Sequence, residues 1–256
     1  MDRARYSRLA HRLLPIAAPV DPAVVNEVLG LLPLGADSKV LDVGCGRAAL
    51  LVDLVAGRGV RGTGVDHDRE VLELARAAAA QRGCADRLTL REARALEVEF
   101  DAPFDLTLCI GASHALGGQV SMLEGLARWT APGGHALWGE GFWRRDPDAA
   151  YLAAIGGSKH ELLSHHGNAA AARARGWSVI WSATTSDACW DRYEGLYRLG
   201  MARHLAEHPD DPEAAAFRER SESWYDGYLR WGRDTMGFAL YLLQRDGASP
   251  GAACPP

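Results

Sequence analysis

No apolar run in this chain approaches the ~20 residues that a membrane-spanning helix needs. Arg8, His11 and Arg12 interrupt the apolar residues of the amino-terminal stretch, which argues against a secretory signal. Positive charge is not in excess either. Against 28 Lys and Arg stand 33 Asp and Glu, giving a formal charge of -5 and a pI near 6.0, so a nucleic-acid backbone is not the expected partner. The five cysteines, Cys45, Cys84, Cys109, Cys189 and Cys254, are odd in number and show no C-x-x-C spacing. They read as reduced thiols, with neither a disulfide framework nor a structural zinc site. His160, His165 and His166 lack a metal-binding spacing, so no metal is expected. There is no repeat and no low-complexity tract. These absences leave a cytoplasmic protein, monomeric or homodimeric, that acts on small molecules without a membrane. Its 256 residues suit one domain with an embedded lobe.

What is present is organised around Lys39 to Ala49, KVLDVGCGRAA. Val40 to Val43 reads as a short buried strand that breaks at Gly44-Cys45-Gly46 before a helical run from Ala48 to Val55. Gly44 and Gly46 can take positive φ and let a ligand approach the main chain, with N–H groups of the helix start pointing at it. The same letters fit the dinucleotide pattern G-x-G-x-x-G/A. Asp42 separates the two readings. A carboxylate at the strand's carboxyl end repels a pyrophosphate and attracts a cation, unless it only bonds amides of its own loop.

Upstream, apolar residues recur helically from Ser7 to Leu14, and Asp21-Pro22 opens a second helix. Residues 1–36 therefore form a helical cap, either a lid over the strand ends or plain packing. Downstream, Gly59 to Asp66 is a second strand ending in an acid about twenty residues past the glycine turn. That is the distance at which a carboxylate meets ribose hydroxyls; Asp66 could also cap the helix from Arg69 to Arg82. Arg87 to Arg91, Phe104 to Ile110 and His135 to Glu140 are the next strands, the last delivered by a turn at Ala131 to Gly134. Helical material follows at Asp148 to Leu152 and His160 to Arg175. Trp177 to Trp181 and Gly237 to Leu243 are strands six and seven. Between those two, residues 187–232 hold two long helices broken at His208 to Pro212, and Asp246 to Pro256 reads as a frayed end. Strands alternating with helices predict an α/β fold: a mostly parallel sheet covered on both faces, with ligands at the carboxyl edge.

Taken together, VLDVGCG, GTGVDHD, LREARAL, FDLTLCIGASHA and LARWTAPGGHAL resemble the five motifs of the class I S-adenosylmethionine-dependent methyltransferases, in order, over most of residues 39 to 143. The resemblance implies a single Rossmann-like domain, residues 1–256, whose seven-stranded sheet has an antiparallel last strand. It makes residues 187–232 the variable substrate lobe. It also implies S-adenosyl-L-methionine as cofactor: Asp42, Gly44, Cys45 and Gly46 around the methionine part, Asp66 on the ribose, and His67 beside the adenine. Glu92 and Ala93 then meet the adenine amino edge, with Cys109, Ile110 and Gly111 beneath the cofactor. Two residues depart from the pattern. Ala48 stands where a third glycine is frequent, a conservative change, and Glu92 stands where Asp is commoner.

Methyl transfer is an in-line displacement that positioning and exclusion of water can largely drive. A hydroxyl or protonated amine acceptor, favoured here over carbon, also needs a base. His114 is the first candidate and Glu140 the second, each against an ordinary hydrogen-bonding role. Ser113, beside His114, is a candidate substrate contact. Trp143, Trp190, Tyr193 and Trp231 offer an aromatic wall for an apolar or cationic acceptor, or else belong to the core. Two other functions fit the chain. A nicotinamide-dependent reductase conflicts with Asp42 and with the lack of a Tyr-x-x-x-Lys pair; a cofactor-binding module without turnover keeps the same binding residues.

Overall fold

The computed structural model describes residues 1–247; most of the expected frayed end lies outside that range. Seven strands form one sheet in the order β3-β2-β1-β4-β5-β7-β6. The strands are β1 (Lys39–Val43), β2 (Arg61–Asp66), β3 (Leu88–Glu92), β4 (Phe104–Ile110), β5 (Thr130–Trp143), β6 (Trp177–Thr184) and β7 (Met236–Arg245). The first five run parallel, while β7 inserts between β5 and β6 antiparallel to both. The seven-stranded, mostly parallel sheet with a reversed last strand is the architecture the motifs imply.

Local differences from the sequence reading have physical causes. Ala131 to Gly134 is not a separate turn: pairing of Phe104 with Thr130 draws it into β5, and the register slips between Phe104 and Leu106 to absorb it. The first helix, α1 (Arg3–Ala10), starts earlier than its apolar spacing suggests, because the Asp2 carboxylate accepts the amides of Ala4 and Arg5. Asp66 does not cap the helix after β2. That helix, α4 (Arg69–Gln81), is capped by Asp68, which accepts the Glu70 amide. The second helix, α2 (Pro22–Gly30), begins at Asp21-Pro22 as expected.

Burial splits into three clusters. On one face of the sheet, Val40, Leu106, Leu108 and Leu137 pack under α2, α3 (Ala49–Arg58) and α4. On the other, Leu41, Cys109, Trp138 and Tyr241 pack under α5 (Gln119–Trp129) and α7 (His165–Arg173). The third cluster, Tyr6, Ala10, Met201, Leu205 and Phe217, joins α1 to α8 (Asp187–Glu207) and α9 (Ala214–Gly227). The cap and the 187–232 helices therefore fold as one lobe. They cross closely at Gly200, where a Cβ would stand 2.5 Å from the Ala10 carbonyl oxygen. Arg5 ion-pairs with Asp211 and Glu213 across the same contact.

The cap also reaches the strand ends. Arg8 pairs with Asp68 at 2.8 Å, Arg47 Nη1 donates to the Arg12 carbonyl at 3.2 Å, and the Thr185 hydroxyl donates to the Pro19 carbonyl at 2.6 Å. Between them the chain passes over Gly111, where a Cβ would meet Ala18 at 3.3 Å.

Candidate active site

The loop after β1 bends where glycine permits it, with Gly44 at φ 68° and Gly46 at φ 52°. A Cβ on Gly44 would sit 2.4 Å from that of Ala112, so the loop after β4 approaches this one to a distance only glycine allows. Ala48 is also left-handed, at φ 52°, and fully buried. Its departure from glycine is thus not neutral for the backbone: the conformation costs on the order of 1 kcal/mol. Four amides of the loop are engaged. Gly44 and Cys45 N–H both donate to the Val65 carbonyl, Gly46 N–H to Asp66 Oδ2 at 2.8 Å, and Ala48 N–H to the Cys45 carbonyl. The first-turn amides of α3, Ala49 to Leu51, have no partner among the described residues. The glycines here serve close approach.

Asp66 closes the turn: besides Gly46 it accepts the Asp68 amide at 2.9 Å, and His67 Nδ1 stands 3.5 Å from it. Glu92 is paired beside Asp66 in register and is exposed, while the Ala93 amide donates to the Asp66 carbonyl. Asp42 differs from both. Its side chain is buried, no hydrogen bond among the described residues ends on its carboxylate, and burial, then the nearby Asp66 charge, push its pKa to about 7. Cys45 is pushed up by burial and by the same two acids, and Cys109 is raised by burial first. Two neighbouring carboxylates, one without a donor, form a site that a cation would complete.

His114 lies in a short turn after β4, with burial lowering its pKa, His67 adding to this and Asp66 opposing it. The turn therefore brings His114 to the Asp66–His67 side. Glu140 takes a different position. It alternates with Trp138 and Phe142 on the α5/α7 face of β5, opposite the face that meets the lobe. Its Oε1 accepts the Gly141 amide at 2.9 Å, and burial raises its pKa against the opposing influence of Ser113, Gly141, Trp138 and Gln119.

The four wall aromatics pack on different neighbours. Trp143 and Trp231 both pack on Tyr151, and Trp143 lines an open surface cleft of about 560 Å³ with Arg145 and Lys159. Tyr193 donates to or accepts from His11 Nε2 at 2.9 Å. Trp190 alone faces the sheet, 6.3 Å from Phe238 between ring centres. Phe238 itself lies 4.0 Å from a Cβ placed on Gly111, which links the lobe to the loop after β4. Phe238, the Ala17-Ala18 strap and buried Glu194 were not singled out from sequence; only Glu194 had a signal, four residues after Trp190 on the same helical face. Among the described residues no group of three or more His, Cys, Asp or Glu side chains could hold a metal, and no helix is long and apolar enough to cross a membrane.

Residues 40–134 match the model of a methyltransferase domain. The uncharacterized protein YjhP of Escherichia coli is 29% identical over 223 residues, 86% of this chain and 89% of that protein. The ubiquinone biosynthesis O-methyltransferase of Pseudomonas putida is 30% identical over 166 residues, 62% of this chain and 69% of that enzyme. A methyltransferase of Geobacter sulfurreducens, solved in complex with S-adenosyl-L-homocysteine, superposes with a TM-score of 0.87 at 28% identity, covering 94% of this chain and 98% of that one. The chain belongs to the class I S-adenosylmethionine-dependent methyltransferases. Its cofactor is S-adenosyl-L-methionine.

Proposed function

We propose that the protein transfers the methyl group of S-adenosylmethionine to an oxygen or nitrogen atom of a small molecule held by the helical lobe. The observation that carries this reading is the buried carboxylate of Asp42, which has no hydrogen-bond donor among the described residues and stands beside a second acid, Asp66. Such a carboxylate favours a ligand bearing positive charge over one bearing phosphate. In this reading Asp42, Gly44, Cys45 and Gly46 surround the methionine part, Asp66 binds the ribose, and His67, Glu92 and Ala93 border the adenine. Cys109, Ile110 and Gly111 form the floor. The strap at Ala17-Ala18 closes over Gly111 as a lid, and the acceptor lies against Ile110, Phe238 and Trp190.

His114, close to His67 and Asp66, then serves the cofactor's ribose side, and Glu140 serves the packing of β5 against α5. Neither is required as a base if lobe and strap hold the acceptor in line and exclude water. The bound cofactor supplies the electrophilic methyl carbon. Calorimetric titration with S-adenosylhomocysteine, NADH and NADPH in parallel tests the reading: binding of the first alone is expected, and binding of a nicotinamide alone would refute it.

A further inference from the structure

The lobe holds a second unusual carboxylate. Glu194 on α8 is 3% exposed, and one donor among the described residues reaches it: Trp224 Nε1, 2.9 Å from Oε2. One turn earlier, the Trp190 indole N–H is buried with no hydrogen-bond partner among the described residues. The two side chains lie four residues apart, on one face of α8. Trp190 belongs to the apolar cluster that contains Phe238 and contacts Ile110, so this face continues from the floor of the cofactor cleft into the lobe.

The rest of the enclosure is aromatic. Glu194 is close enough to raise the phenol pKa values of Tyr151 and Tyr193, after burial as the main cause for each, and that of Tyr228, where burial and the hydrogen bond to Asp191 come first. These rings come from three separate stretches, α6 (Ala149–Ile155), α8 and the turn after α9. The lobe's cations do not neutralise Glu194. Arg233 is engaged by Asp191 and Asp187, Arg198 by Ser221 and Glu222, and Arg5 by Asp211 and Glu213. Arg220 lies over the Trp224 ring at 5.1 Å and makes no ion pair with Glu194.

A buried acid with one neutral donor is unfavourable by itself, and replacing it with an apolar side chain would usually stabilise a core. Aromatic rings around a carboxylate are, however, what a desolvated ammonium group binds. We infer that the lobe is a binding site for the cationic amine or quaternary ammonium group of the methyl acceptor, with Glu194 as counter-ion and Trp190, Tyr151, Tyr193, Trp224 and Tyr228 as its aromatic cage. This inference rests on the methyltransferase reading above and names the acceptor class for it. The free indole N–H of Trp190, nearer the cofactor cleft, donates to an oxygen of the same molecule.

The test uses the full chain saturated with S-adenosylhomocysteine at pH 8. Choline and its uncharged isostere 3,3-dimethyl-1-butanol are titrated by tryptophan fluorescence. Choline is expected to bind about tenfold or more tighter, a difference of about 1.4 kcal/mol. In Glu194→Gln, which keeps the hydrogen bond from Trp224, the preference falls to about twofold or less while homocysteine-product affinity is unchanged. Equal binding of the two probes, no binding of choline at tens of millimolar, or a preference that survives Glu194→Gln each overturns the inference. Because product affinity is read on the same samples, its loss in the wild type would mark failure of the cofactor reading instead.

Discussion

Replacing Asp42 with Asn should make the unliganded protein more stable and a poorer binder of its cofactor. The folded carboxyl titrates near 7, against an ordinary value of 3.8, because it is buried beside Asp66. The folded state therefore holds the proton more tightly than the unfolded one. Its contribution is harmless below pH 3.8 and turns unfavourable as pH rises, until it levels off above 7. At about 1.4 kcal/mol per unit, the full effect is about 4 kcal/mol at pH 8, of which about 2 kcal/mol develops between pH 5.5 and pH 7. An unpartnered Asn amide returns about 1–2 kcal/mol of that at every pH. The sharper quantity is the change with pH: the stability difference between variant and wild type should grow by about 2 kcal/mol from pH 5.5 to pH 8. Urea unfolding at the two pH values, without ligand, measures it. Titration with S-adenosylmethionine should show wild-type affinity rising with pH through 7, as binding expels the proton, and a weaker, flatter profile for the variant. A variant no more stable than wild type at pH 8, with a pH-independent difference, would refute the uncompensated charge on which the cofactor assignment depends.

Asp66→Ala removes the acceptor of both the Gly46 and Asp68 amides, so it should cost about 1–3 kcal/mol of stability in thermal unfolding and lower S-adenosylhomocysteine affinity by at least tenfold; unchanged affinity would dismiss the ribose role. His114→Ala should raise the KM for S-adenosylmethionine with kcat nearly intact, whereas a loss of kcat at saturation with unchanged KM would restore the general-base role. Gly200→Ala drives a methyl group against the backbone carbonyls of Ala10 and Leu9, neither of which can rotate away, and should lower stability by about 1–3 kcal/mol in a melting experiment.

The cofactor half of the molecule was legible because its demands are local. A strand, a turn at Gly44 and Gly46, and acids at the ends of β1 and β2 are all fixed by backbone conformation within a few residues, so the letters carry the geometry. The reversed β7 followed only from the motifs' implication; nothing in GFALYLL itself states its direction. Two positions were settled only by the fold. Asp66 and Asp68 are equally good caps by composition, and only the demand of Gly46 for an acceptor, twenty residues earlier, assigns Asp66 to the loop. Glu140 closes the apolar run in the sequence, but β5 continues three residues beyond it, to Trp143, and alternation places Glu140 on the face of Trp138 and Phe142.

The lobe was legible as helices, but the contacts of its aromatic residues were not, because they are assembled by packing between distant segments. Tyr193 and Trp190 are three residues apart in sequence, yet one meets His11 of the cap and the other Phe238 of the sheet. The helix that carries them is clamped at both ends of its function: α1 binds α8 and α9 through Tyr6, Phe217 and Arg5, and the same α1 reaches the cofactor edge through Arg8 and Asp68. A movement of the cap therefore disturbs the strand ends and the lobe together. The cap touches Asp68, Gly111 and Gly200 at once, and in the proposed reading it covers the space that acceptor and methyl donor share.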